Sequence, residues 1–435
     1  MLIFWLFFIV ESLVLMVMRG HGELALDDSI YWVCIILNSV VLIACIAQES
    51  KSDTFLVRFM ALGYLLRLVF LIWVQYFSHI LLLPNAGFDE FMYYFQAKRG
   101  MLGAENLRNG YCYFVLYQAK VFGLSLLYCR YVNLLFSMMA IFVFSRALIL
   151  LNVSQKTYRR TMILACLLPN FALLSCLLLR ESLIFMLLSM ACYCLIYWWN
   201  NGDIKYIVVC LMFSMLAARL HTGAIAFACG VVVAFICSSF ENGHRVLHIL
   251  NLRNILLSLA VLLVSLLYMH LHNSEMLSYV NNVESLSDIA AQVDTRETGS
   301  SSYSSDIVAN DSLVGFIINS PLHIINFLFS PLPWQWRGLS DILAFFMSSV
   351  FYLYVTFLLV KNRDILSKSE IIPVFVIIAA GAGFLFGWGV ANAGTALRHR
   401  DKFVFAYLAI FALVEEYRNN LGMIGYNKSR TLSHS

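Results

Sequence analysis

The sequence predicts an all-α, polytopic membrane protein of about twelve spanning helices, and three observations predict it. Apolar residues make up 61% of the 435 and charged residues 12%, with a mean hydropathy of +0.80. Apolar runs of roughly 17–25 residues, enough to cross a bilayer as helices, recur from one end of the chain to the other. These runs are continuous and do not alternate, which excludes a closed barrel. No segment of ordinary soluble composition is appended, so 1–435 reads as a single integral membrane domain. The net charge of +4 says less than where the charges fall, which is mostly at the ends of apolar runs.

Length and flanking charge define the elements in order. The chain opens on LIFWLFFIV with neither a basic region nor a small-residue cleavage site, so 2–18 reads as a retained first helix. Helices at 29–47 and 57–80 follow. Residues 111–128 are amphipathic, suited to lying in the interface or re-entering. The spans then resume at 130–150, 160–178, 181–199, 204–220 and 222–238, with Arg180-Glu181 and Arg219 with His221 marking tight turns. Spans at 254–271, 340–360, 371–391 and 402–416 complete the set. The eleven cysteines are scattered, without C-x-x-C, and read as small core residues. The six prolines leave room for long helices. No internal repeat emerges.

Cations in the short loops set the orientation. Lys51, Lys156, Arg159, Arg160, Lys205, Arg245, Arg253, Lys361, Arg363, Lys368, Arg418, Lys428 and Arg430 all fall on one side. That side is then cytoplasmic, with both termini in it. Two long segments lie outside. The first, 81–129, is a periplasmic loop with interfacial helices. The second, 272–339, begins polar and acidic and ends apolar with prolines, suited to the membrane surface.

Five clusters in this arrangement bear on chemistry, each with a plainer reading beside it. GFDEFMYYFQAKRG, 87–100, holds Asp89 and Glu90 among aromatics. A carboxylate there suits a general base, or an acidic helix start. LLRESLIF, 178–185, breaks an apolar stretch with Arg180 and Glu181, as an anion site or as a snorkelling arginine beside a helix cap. AARLHTGAIA, 217–226, does the same with Arg219 and His221, where the histidine relays a proton or satisfies a turn. ALRHRDKF, 396–403, places Arg398, Arg400 and Lys402 on the outer side, against the positive-inside trend. Guanidiniums grip phosphate oxygens in a fork, and anionic lipid is the alternative partner. SPLPWQWRG, 330–338, offers Trp334, Trp336 and Arg337 as an interfacial belt or as a sugar-stacking surface. His244 and His248 lie four apart without acidic or thiol partners, and His270 and His272 sit at a helix exit, so no metal site is drawn from them. Phosphate-binding glycine loops, G-x-S-x-G and H-E-x-x-H are absent from the sequence.

With these residues, the chain resembles bacterial O-antigen and exopolysaccharide repeat-unit polymerases of the EpsG type, within the wider GT-C class of membrane glycosyltransferases. GFDEFMYY is similar to the family's outer-loop G-x-D…Y segment, and LLRESLIF to its R-x-S-L at a helix start. ARLHTGA is similar to a late helix ending in histidine, and LRHRDKF to the R-x-R before the last helix. The acidic pair follows the third helix, where simpler GT-C enzymes place it after the first. The resemblance implies a GT-C-like fold and chain growth on the periplasmic side of the inner membrane. An acceptor hydroxyl would attack a glycan carried on undecaprenyl pyrophosphate, which leaves. Asp89, with Glu90 or His221, would be the base. Arg180, Arg219, Arg398 and Arg400 would hold the pyrophosphate, and Tyr93, Tyr94, Trp334, Trp336 and Arg337 the glycan. No cofactor is required, although Mg²⁺ is compatible with the acidic pair. The partners implied are the lipid-linked oligosaccharide, membrane lipids, a chain-length regulator and a flippase, with no nucleic acid. The competing readings are a lipid-linked oligosaccharide flippase, for which repeated halves and mid-membrane charges would be expected, and an O-antigen ligase.

Overall fold

The computed structural model describes residues 1–20, 24–50, 53–241, 244–247, 313–390 and 392–432. The chain divides into two compact units, Met1–Phe142 with Met162–Met186, and Val143–Thr161 with Leu187–Ser435.

Three long helices open the first unit: α1 (Leu2–Arg19), α2 (Asp28–Glu49) and α3 (Thr54–Ile72), the last prolonged by a π turn, Trp73–Phe77. Aspartates start two of them, because a side-chain oxygen satisfies amides that the first helical turn leaves open. Asp27 accepts from the Ser29 amide at 2.8 Å and Asp53 from the Phe55 amide at 3.1 Å. Large apolar side chains such as Val17, Val40 and Leu65 stay exposed, which suits contact with lipid. The first expected loop contains α4 (Phe88–Met101) and α5 (Gly110–Phe122), packed on each other. The end of α5 is capped from elsewhere: Arg19 donates to the carbonyls of Ala119 (3.2 Å) and Lys120 (2.8 Å), and the Tyr31 hydroxyl to that of Phe122 (2.7 Å). The next residue is Gly123 at φ 90°, where a Cβ would meet the Tyr31 hydroxyl at 2.6 Å, so only glycine fits.

Helix α6 (Leu126–Leu150) contributes to both units, as does α9 (Glu181–Asn201). Between them, the expected helix over 160–178 is two pieces, α7 (Gln155–Leu167) and α8 (Pro169–Leu174). Pro169 lacks an amide proton and disfavours the helical conformation in Leu168, so the first helix stops and a second begins with proline in its first turn.

The second unit continues with α10 (Ile204–Leu220), a 3₁₀ turn (Thr222–Ala224) and α11 (Ile225–Ile236). A hairpin follows, β1 (Ser238–Glu241) with β2 (His244–Leu247), antiparallel with Ser238 opposite Leu247 and Glu241 opposite His244. It is an addition to the all-α expectation, and it puts His244 on a strand. Then come α12 (Leu313–Phe329), α13 (Leu339–Ala344) running through a π turn into α14 (Val350–Lys361), α15 (Ile365–Lys368), α16 (Ile372–Gly389), α17 (Ala393–Arg400), a 3₁₀ turn (Asp401–Phe403) and α18 (Val404–Leu432). Helix α16 packs against both α11 and α12. Gly387 makes the second approach possible, since a Cβ there would lie 3.0 Å from the His323 backbone.

Among the described residues, seven helices are long and apolar enough to cross a membrane: Leu2–Arg19, Asp28–Glu49, Thr54–Phe77, Leu126–Leu150, Glu181–Asn201, Leu339–Lys361 and Ile372–Gly389. The protein is a predominantly helical membrane protein. Each of the seven matches one of the spans read from the sequence. Of the others, 254–271 lies outside the described residues. Helix α10 has 17 residues, and 222–238 is represented by the shorter apolar stretch Thr222–Ile236. The 402–416 segment is part of α18, where Glu415, Glu416 and Arg418 cut the apolar run short. The apolar end of the second loop is α12, packed on α16, with the Trp388 indole donating to Ser320 Oγ at 2.9 Å.

Candidate functional site

In the first unit, Glu90 is 1% exposed, and both of its carboxylate oxygens are engaged. Arg130 of α6 donates from Nε to Oε1 (2.9 Å) and from Nη2 to Oε2 (3.1 Å), a bidentate pair. The Leu178 amide adds a bond of 2.7 Å to Oε1, and Arg130 Nη1 donates to Gln75 (2.8 Å). One turn further along α6, the Asn133 amide donates to the carbonyls of Leu177 (2.7 Å) and Leu179 (2.8 Å), and it exchanges bonds with the Tyr111 hydroxyl. The backbone of 177–179 is thus held on both edges, and it delivers the half-exposed Arg180 to the start of α9. The first two sequence clusters therefore meet through Glu90 and Leu178. Asp89 stays half-exposed. Tyr93 is buried edge-on against the Tyr111 ring, 4.8 Å between centroids, and the Tyr94 hydroxyl reaches the Leu124 carbonyl at 3.4 Å.

The sequence reading missed Arg130 and Asn133. The signal was present: a cation and an amide one turn apart near the start of an apolar span must find partners inside the protein.

The second unit joins the third and fourth clusters. His221 ends α10 with its Nε2 3.2 Å from Nε2 of His399, a residue 178 positions later. His399 Nδ1 is 2.6 Å from Lys402 Nζ. The Gly223 amide donates to His221 Nδ1 at 3.3 Å, so the turn-capping reading of His221 is also met. The Phe386 ring lies 5.3 Å from the His221 ring, 5.0 Å from that of His399 and 5.6 Å from Lys402 Nζ, forming an apolar wall. His399 and Lys402 are buried, and His221 is half-buried.

Arg400 is 1% exposed and serves as a brace, where the sequence reading set it among the phosphate-holding cations. Its guanidinium donates to Ser348 Oγ (2.9 Å), Ser349 Oγ (3.0 Å) and the carbonyls of Leu328 (2.9 Å) and Ser330 (2.7 Å), and it lies over the Tyr352 ring. Asp401 Oδ1 accepts from the Tyr352 hydroxyl at 2.8 Å. Arg219 is exposed and Arg398 half-exposed, each within two residues of a histidine of the pair. On the turn after α12, Trp334 is 78% exposed. Trp336 packs its indole on Phe345 and donates to the Pro331 carbonyl, and Arg337 is exposed. Groups of three or more histidine, cysteine or acidic side chains able to hold a metal are absent among the described residues.

Comparison with family models, with curated proteins and with solved structures finds no match.

Proposed function

We propose that this chain is a membrane glycosyltransferase that joins oligosaccharide repeat units carried on undecaprenyl pyrophosphate, extending an O-antigen or capsular chain at the periplasmic face of the inner membrane. The observation that carries this reading is the contact between His221 and His399, which gathers residues far apart in the chain into one basic cluster. Such a transfer has two electrostatic needs. The acceptor hydroxyl must lose a proton, for which imidazoles are suited near neutral pH. The departing diphosphate gains negative charge, which guanidiniums can stabilise as the bond breaks. Arg219 and Arg398 flank the histidines and keep solvent access, so they are the phosphate-facing pair in this reading, with Arg400 holding the local backbone in shape. In the first unit, taken by itself, Asp89 and Arg180 are half-exposed, and Glu90 positions the backbone that leads to Arg180.

The test is the surface glycan of a deletion strain, complemented with variants. A single repeat unit on the lipid core supports the polymerase. Loss of every surface repeat would point to a flippase, and long polymer left on its carrier lipid to a ligase.

A further inference from the structure

Glu11 lies near the middle of α1, one of the seven helices long and apolar enough to cross a membrane, yet it is only 8% exposed. The buried residues of that helix, Phe4, Phe8, Glu11, Ser12 and Leu15, form one stripe at helical spacing, so the carboxyl is turned to the protein. Asn38 of α2 donates from Nδ2 to Glu11 Oε2 at 2.5 Å, and the Tyr128 hydroxyl of α6 donates to Oε1 at 3.3 Å. The Cys34 thiol is the third neighbour. The Tyr128 ring stacks on Phe8 and packs against Tyr31 and Phe122, with centroids 6.5, 5.2 and 5.2 Å away. This aromatic jacket keeps water from the contact. All of these residues belong to the first unit.

An ionised Glu11 would leave two needs unmet here. The first is a counter-charge. None of its three neighbours is a cation, and Arg19, further along α1, is engaged by the carbonyls at the end of α5. A carboxylate withdrawn from water without a counter-ion is far more costly than a neutral acid. The second need is a donor. Asn38 is 0% exposed, and its Oδ1 is buried with no hydrogen-bond partner. A single proton on Glu11 Oε2 meets both. It removes the charge, and with the Asn38 amide turned over about its last side-chain bond, it is donated to Oδ1. The separation agrees, because 2.5 Å is shorter than the usual N–H···O bond and falls among O–H···O bonds.

We propose that Glu11 is a proton-binding site within the membrane-spanning part of the first unit, and that its carboxylic acid, donating to Asn38 Oδ1, fastens α1 to α2. The titratable groups that face it are Cys34 on α2 and Tyr128 and Tyr131 on α6. On α5, which also packs on α1, Lys120 is exposed, with its ammonium over the Tyr117 ring. Between helices in lipid, where apolar contact is no better than contact with lipid tails, a polar bond of this kind holds partners together. It also ties the contact to a proton. A glutamic acid in water near neutral pH is ionised, so seating α1 on α2 takes up one proton. The site serves no step of the glycosyl transfer and stands whether or not that reading holds.

The test is infrared difference spectroscopy of the full chain in lipid bilayers at neutral pH, wild type against Glu11→Gln. We expect the wild type to show the carbonyl stretch of a protonated carboxyl that the variant lacks, with the carboxylate bands unchanged. Loss of a carboxylate band in the variant, with every acid band kept, would overturn the proposal. Repeating the pair with choline in place of sodium separates a proton from a metal ion. Identical spectra support the proton, and a Glu11 signal that is carboxylate in sodium and acid in choline would overturn it. Asn38→Leu leaves Glu11 in place and keeps the measurement available if Glu11→Gln does not assemble. It should retain the acid band and move it to the higher frequency of an acid without an acceptor. A band that does not move would remove Asn38 as the partner.

Discussion

Glu90 in the first unit and Lys402 in the second are both almost completely withdrawn from solvent, and the groups seen beside them differ in kind. Glu90 faces a guanidinium that matches it atom for atom, with a backbone amide on the remaining side. Its charge is compensated where it stands. Lys402 lies against an imidazole with a second imidazole behind it, and two arginines precede it by two and four residues. One polar interruption of an apolar chain is closed by an ion pair, and the other brings together side chains that can exchange a proton. A paired site suits architecture, because its members cannot titrate without breaking the pair. A chain of like bases suits chemistry, because a proton can shift along it at little cost in structure.

Substitutions can break this contrast, and the largest effect belongs to the pair. Glu90→Gln leaves Arg130 buried without its partner and should cost about 3–5 kcal/mol, read as a lower unfolding temperature in detergent. Replacing both, as Glu90→Leu with Arg130→Met, should recover most of that loss. If the single and the double variant are equally unstable, the pair is not what holds the site. Arg400→Met removes a charged donor set from two carbonyls and two hydroxyls and should cost about 1.5–3 kcal/mol. Arg400→Lys, which cannot reproduce the fork, should recover only part of it. Asn133→Leu strips the 177–179 backbone of two bonds, and about 1–3 kcal/mol is expected by the same unfolding measurement. Proteolysis should show whether the loosening is confined to that loop. Smallest in stability are Arg219→Ala and Arg398→Ala, within about 0.5 kcal/mol as surface changes. These two should nevertheless collapse the glycan ladder to short chains, and unchanged ladders in both would remove the arginines from the diphosphate site.

The legible part of the fold was what hydropathy controls. The seven long helices follow from runs that have no other stable state in lipid, and the first helix agrees to within a residue, 2–18 against Leu2–Arg19. What escaped was governed by single residues. Pro169 splits a run whose apolar composition is otherwise unbroken. The hairpin after α11 is foreshadowed by Asn242-Gly243, a strong short-range turn signal that an all-helical reading passes over. At the candidate site, the residue types were legible and their partners were not. A lone histidine at 221 gives no sign that a second lies against it 178 residues later. Arg398 and Arg400, two apart, look equivalent in sequence. The local helix turns the second inward to carbonyls and leaves the first within reach of solvent, a distinction set by direction around the helix.

Helix α12 has its last turn moored by Arg400 through the Leu328 and Ser330 carbonyls, and its middle seated in the notch that Gly387 leaves for His323. Upstream of both anchorages stands Pro321, which interrupts the helix's own bonding ladder. The Trp388 indole holds Ser320 on the other side of that proline, so the break in the ladder is splinted by α16 both before and after it.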